Sequence, residues 1–316
     1  MKSLVIDEDL LYRYDEALHG KDFSQYQSEI NNIVNVLWNG IGEYEELLAP
    51  FFTRYLEVRA VPSLYISYFS LSQINKDYDN VTIEASSIIT DIVGKYFKFN
   101  FSNDCEYFDA DLGLLVADIF ASPGSKLKIF IRNIKYNLSS RIAILRGVEV
   151  LYLNAGKLHE DFSRISNSYN GLWLTQKKSD RINWDIDQIK NTIRDNIKSL
   201  NLSIPNKLLI ELIEKRVLNN LEFYLNTISV FVDFIEQNNV RLVISSAVNN
   251  EGFLSLLAAA KLTSIDSLVI PHGVVYSFNP KLNNYVTYQG TLNDFEPKYS
   301  GAKQIKFRMK WFEKKI

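Results

Sequence analysis

The sequence predicts an α/β fold: a Rossmann-like parallel sheet flanked by helices, rich in helix. Three observations carry that expectation. Arg241-Leu242-Val243-Ile244-Ser245-Ser246 is a short apolar run between a helical pattern and polar residues, as a strand buried on both faces should be. Residues 249–262 then take helical spacing through Phe253, Leu256, Leu257, Ala260 and Leu262, and Ser267-Leu268-Val269-Ile270 reads as the next strand, closing a βαβ unit. Amphipathic stretches at three- and four-residue spacing fill much of the chain ahead of it.

From the N-terminus, Leu4-Val5-Ile6 reads as a buried strand, and Asp7-Glu8-Asp9 supplies capping oxygens before residues 10–18 take helical spacing. Between 26 and 55, Ile30, Ile33, Val34, Leu37, Ile41, Tyr44, Leu47 and Leu48 mark an amphipathic helix that Pro50 ends or kinks. Residues 64–69 are β-branched and aromatic enough to read as a strand, and 86–97 and 111–121 read as helices. Ser122-Pro123-Gly124-Ser125 is a break. The stretch 127–153 alternates Lys128, Arg132, Lys135, Arg141 and Arg146 with Ile129, Phe130, Ile131, Ile134, Leu138, Ile142 and Leu145, a basic amphipathic segment. It reads either as a helix lying on an anionic membrane surface, each basic residue contributing roughly 1 kcal/mol, or as a core helix with a solvated basic face. Residues 182–200 and 207–237 read as helices joined by a turn at Ser203-Ile204-Pro205-Asn206. Residues 1–290 are thus expected to form one Rossmann-like α/β domain with helical insertions, and 291–316 a crossover or the start of a second domain.

Composition narrows the function classes. With 316 residues and 47% hydrophobic content the chain can bury a large core. A charged fraction of 23% and a formal net charge of -2 provide no chain-wide basic field, so nucleic acid is not an expected partner. The single Cys105 excludes an intrachain disulfide and any multi-cysteine zinc site, and fits a reducing compartment. The N-terminus turns acidic after three apolar residues, too short for a signal-peptide core, and no apolar run approaches the roughly 20 residues of a membrane span. The expected location is cytoplasmic, with peripheral contact at the inner membrane face if the basic segment meets lipid.

In parallel sheets, ligands bind beyond the carboxyl ends of strands, where loops converge and helix N-termini point their positive ends outward. Two loops meet that rule here: 246–251, with Ser246, Asn249, Asn250 and Glu251, and Pro271-His272-Gly273. Gly273 removes side-chain bulk beside His272, so a ligand can approach the backbone closely. An imidazole there can serve as a general base, donate to a phosphate, or anchor the loop.

The run 241–275 resembles bacterial surface-polysaccharide glycosyltransferases of the GT-B fold. It carries the Val243-Ile244 strand, Glu251 early in the helix, Ala258-Ala259-Ala260-Lys261 late in it, and Val269-Ile270-Pro271-His272-Gly273 closing the next strand. Residues 285–290 look like the strand that follows in that family, and 294–306 like its crossing toward a second domain. The resemblance implies a GT-B N-terminal-domain type in which His272 and Gly273 line the interdomain cleft, with His272 near the transferred sugar or its phosphate and Glu251 or Asn249 near the acceptor. Together with the two strand-end loops this makes His272 the expected catalytic residue with Glu251 as its helper, and Gly273, Asn249, Asn250 and Ser246 the expected substrate-binding residues. The partners that the resemblance implies are a nucleotide sugar, entering as substrate rather than as a resident cofactor, and a glycan or lipid-linked acceptor. Such enzymes bind the nucleotide mainly in a C-terminal domain, and the chain reaches only Ile316. The resemblance therefore also fits an acceptor-side half that works with a second domain or subunit.

Other signals are weaker. Asp109-Ala110-Asp111 has the two-carboxylate spacing of metal-dependent GT-A transferases, but 7–9, 77–79 and 185–187 share it, and no metal site is assigned. No Gly-x-Gly-x-x-Gly, Walker loop or Gly-x-Ser-x-Gly elbow occurs. A non-catalytic glycan- or partner-binding module is the alternative outside enzymes.

Overall fold

The computed structural model describes residues 2–10, 24–108, 147–153, 162, 165, 167–246, 251–270, 279–291 and 297–306. It is an α/β structure with parallel sheets flanked by helices. Contacts divide the chain into two compact units, 1–112 with 185–221, and 113–184 with 222–316.

The first unit holds a three-stranded parallel sheet of β1 (Ser3–Ile6), β2 (Asn80–Ser86) and β3 (Asn100–Tyr107), in that order. Between β1 and β2 run α1 (Ser24–Val36), α2 (Tyr44–Tyr55) and α3 (Val61–Asp77), and α4 (Ile88–Tyr96) joins β2 to β3. The returning segment adds α5 (Ile186–Lys198) and α6 (Asn206–Ile213). In β2 the alternation of Val81, Ile83 and Ala85, all buried, with Thr82 and Glu84 gives the sheet one apolar face. Helix α4 lies close on that face at Gly94, where an added Cβ would stand 2.7 Å from Ile83 Cδ1. Ser87 caps α4 by accepting from Thr90 N. Helix α6 packs against α3, α4 and α5 through Leu208, Leu209 and Leu212.

The second unit holds a six-stranded, wholly parallel sheet. Its strands are β4 (Val150–Leu153), β5 (Ser168–Asn170), β6 (Leu242–Ser245), β7 (Asp266–Val269), β8 (Tyr288–Thr291) and β9 (Lys303–Lys306), in the spatial order β5-β4-β6-β7-β8-β9. Helix α7 (Asn219–Asn238) precedes β6, and α8 (Glu251–Leu262) joins β6 to β7. Helix α8 is apolar almost all round, with Phe253, Leu254, Leu256, Leu257 and Ala258 to Ala260 buried, and it packs on β4, β6 and β7. The small Ala258-Ala259-Ala260 turn lets the helix sit close to the strands. Tyr169 of β5 stacks on Phe234 of α7 with centroids 4.9 Å apart. The βαβ unit expected at 241–270 is present, with β6, α8 and β7 within a few residues of the expected bounds.

Other expectations change. Residues 64–69 are helical, inside α3, because Pro62 at the helix start and buried residues from Val61 to Leu71 extend a longer helical pattern past the β-prone run. The single helix expected over 26–55 divides at Gly40 and Gly42, whose φ angles of 78° and 64° no helical residue adopts. Helix α2 runs through Pro50 and passes into α3 by a π turn at Leu56–Ala60. The end of the stretch 127–153 is strand β4, and its earlier part lies outside the described residues, as do 111–121 and 122–125. Strands β2, β3 and β5 were not foreseen. The reading of 1–290 as one domain spans both sheets, and 291–316 contributes β9 to the second. Among the described residues no helix is long and apolar enough to cross a membrane.

Candidate functional site

The chain leaves β4 toward β5 on one side of it, and later returns to β6 on the other side before moving outward through β7, β8 and β9. The strand order therefore reverses between β4 and β6. At such a switch the connections depart in opposite directions and leave a crevice beyond the carboxyl ends of the two strands. Here those ends are Leu153 and Ser245. The ladder continues one residue further, with Ser246 N donating to Leu153 O at 3.2 Å and Ile270 N to Ser245 O at 2.9 Å.

Two polar residues, Ser245 and Ser246, close an otherwise apolar strand, and both are fully buried. Helix α8 starts at Glu251, so its first-turn N–H groups and the positive end of its dipole belong to the same edge of the sheet. Ser255 Oγ donates to Tyr224 O at 3.3 Å and ties α8 to α7. Of the residues singled out from sequence, Ser246 and Glu251 thus flank the switch. Asn249, Asn250, His272 and Gly273 lie outside the described residues, and connectivity alone ties 271–273 to the carboxyl end of β7 through Ile270. Asp109 and Asp111 also lie outside them. Among the described residues no group of three or more His, Cys, Asp or Glu could hold a metal ion.

Sequence reasoning missed the partner edge of the switch, the end of β4. A signal was present: Val150-Leu151-Tyr152-Leu153 follows Gly147, which turns with φ 78°, and the apolar run is strand-length. Beyond β4, Asn170 at the end of β5 is occupied, its Oδ1 accepting from Leu172 N at 3.1 Å.

Charge in the first unit is organised for structure. Asp91 receives Lys95 Nζ at 2.8 Å and Lys215 Nζ at 2.9 Å, and Lys215 also reaches Glu211 at 3.1 Å. Burial by itself would raise the Asp91 carboxyl, but the hydrogen bonds and charges of the two lysines outweigh it and hold the group below its usual value. A depressed carboxylate contributes stability that is present above its unfolded value of about 3.9 and is lost as pH falls through the lower folded one. The melting temperature of the wild type should therefore drop below about pH 4 more steeply than that of Asp91→Asn, which starts lower at neutral pH. Parallel acid profiles for the two proteins would remove Asp91 from the acid transition.

Compared with protein-family models, curated proteins and solved structures, the chain finds no match in any of the three. No family is shown. What can be said of its chemistry rests on the carboxyl edge of the six-stranded sheet.

Proposed function

We propose that the six-stranded unit is a glycosyltransferase that binds a nucleotide-activated sugar at the carboxyl edge of its sheet, or the acceptor-side half of one, which would take the glycan acceptor there. The observation that supports this reading most is the reversal of strand order between β4 and β6, because the loop singled out from sequence, 246–251, leaves one of those two strands. The N-terminus of α8 suits a diphosphate, whose charge its first-turn N–H groups and dipole would stabilise. In this reading His272 acts as general base on the acceptor hydroxyl or as a phosphate contact, Glu251 assists it, and Gly273, Asn249, Asn250 and Ser246 bind substrate. The choice of a sugar as substrate comes from the sequence resemblance at 241–275, since folds of this class host many chemistries.

Calorimetric titration of the chain with UDP, CDP and GDP and with UDP-, CDP-, GDP- and CMP-linked sugars tests the proposal. Expected is saturable binding of one nucleotide class, weakened about tenfold or more, roughly 1.4 kcal/mol, in His272→Ala. Absence of binding to all of them would refute a donor site in this chain and favour an acceptor-side half or the non-catalytic glycan- or partner-binding module. Turnover abolished by EDTA would instead favour the metal-dependent alternative at Asp109 and Asp111.

A further inference from the structure

The amino edge of the six-stranded sheet carries a cleft, on the side away from the carboxyl ends of β4 and β6. It is an open cavity of about 430 Å³, within the usual range for small-ligand sites. The last turn of α8, the start of β7, the 3-10 turn Pro280–Tyr285 and the turn leading into β9 enclose it. Among the described residues one formal charge lines it, the ammonium of Lys261, and no carboxylate does.

Some of the polar groups in the lining are already paired. Ser267 is satisfied, its Oγ donating to Tyr285 O at 2.6 Å and accepting from Thr287 N at 3.1 Å. Asn283 Oδ1 accepts from Ser300 N at 3.0 Å, so the part of that amide left for a ligand is its NH2 donor. Thr287 Oγ1 accepts from Ser267 N at 3.2 Å, which leaves its O–H to donate. Lys261 lies 5.8 Å from the centroid of the Tyr285 ring, and among the described residues it forms no ion pair. Asp266, the nearest carboxylate in sequence on β7, does not line the cleft.

The negative end of the α8 dipole opposes an anion here, but its carbonyls are capped. Ala259 O accepts from Thr263 N at 3.0 Å and from Thr263 Oγ1 at 2.7 Å. Ala260 O accepts from Ile265 N at 3.1 Å and Lys261 O from Ser264 N at 3.2 Å. The lining thus offers one cation, the donors of Asn283 and Thr287, and the side chains of Ser264, Asn284 and Ser300, which can also donate; with no formal negative charge among the described lining residues, its complement is an anionic acceptor.

We propose that this cleft binds the oxyanion of a small molecule, a phosphate or carboxylate group held by Lys261, Asn283 and Thr287. The site is independent of the sugar-nucleotide reading, which concerns the opposite edge. Amide chemical shifts of the full chain, followed by NMR during titration with inorganic phosphate and separately with acetate, test it and distinguish the two anions. Expected are saturable shifts clustered at Ser264, Thr287, Ser300 and Gly301, at least tenfold weaker binding in Lys261→Gln, and loss in Asn283→Asp. The aspartate keeps the oxygen that Ser300 N needs while turning the free donor into a negative charge, so the fold is retained and the anion repelled. Shifts scattered over surface lysines, or clustered shifts unchanged in both variants, would overturn the proposal. Nucleotide binding at 246–251 would be unaffected by either outcome.

Discussion

Replacement of Ile244 by alanine should lower the unfolding free energy of the second unit by about 3–4 kcal/mol. Ile244 is 2% exposed and sits in the middle of the row Tyr152, Ile244, Leu268 that runs across β4, β6 and β7 in register. Phe162 and Ile270 complete the buried cluster, and Tyr152 meets the Phe162 ring edge to face at 5.5 Å. The neighbours cannot collapse into the space because their backbones are fixed by ladder hydrogen bonds on both sides of β6. The cost thus includes the cavity as well as the lost transfer energy. Ile244→Val, which removes one methyl group, should cost only about 1 kcal/mol. Urea unfolding of the three proteins measures both differences. A loss below about 1 kcal/mol for alanine would mean that the β4-β6-β7 core is not packed as described. The same substitution bears on function, because Ile244 immediately precedes Ser245 and Ser246 at the switch. Nucleotide binding should weaken in Ile244→Ala and persist in Ile244→Val.

The second large effect belongs to the first unit. Glu29 of α1 receives three donors: the hydroxyl of Tyr65 on α3, and Ser203 through its N at 2.6 Å and its Oγ at 2.6 Å. One carboxylate thereby joins α1, α3 and the turn before α6, and Tyr65 is fully buried. Glu29→Ala should cost about 2–4 kcal/mol, combining a buried hydroxyl left without its acceptor and the charge-assisted bonds to Ser203. Water can take over part of the Ser203 share at this partly exposed rim, which sets the upper limit. Tyr65→Phe removes only the donor and should cost about 1 kcal/mol. Thermal melts of the two variants give the ranking, and equal losses would mean that Glu29 acts through Tyr65 alone. Burial, and then the hydrogen bond and charge of Glu29, push the Tyr65 phenol above its ordinary value. A raised phenol contributes stability that is complete below about pH 10 and disappears as pH rises through the folded value, so alkaline melting should be steeper in wild type than in Tyr65→Phe.

How much of this was legible in the sequence depends on the range of the interaction concerned. The β6-α8-β7 unit was readable because a strand buried on both faces shows a continuous apolar run, and a helix packed on the sheet shows Ala258-Ala259-Ala260 and its leucines locally. Helices α5 and α6 were readable from their spacing for the same reason. The short strands were not. Four residues in β4 and three in β5 are too few to show a period, and β4 merged with the basic pattern before it. The run 64–69 failed in the opposite sense, since β-prone side chains such as Tyr65, Ile66 and Tyr68 pack equally well on a helix once Pro62 and Leu71 extend it.

The candidate site divides in the same way. From sequence alone came the α/β class, the βαβ unit, and the two loops at 246–251 and 271–273, because strand ends, helix starts and small or polar residues between them are local properties of the chain. Only the tertiary structure decided that β4 pairs with β6, that the strand order reverses there, and that the sheet has a donor-rich cleft at its other edge. Pairing of Val150 with Leu242 is a contact between residues far apart in the chain. No local periodicity encodes it, because each strand's apolar surface would suit any neighbour in a buried parallel sheet, and the choice is made only when the whole core packs.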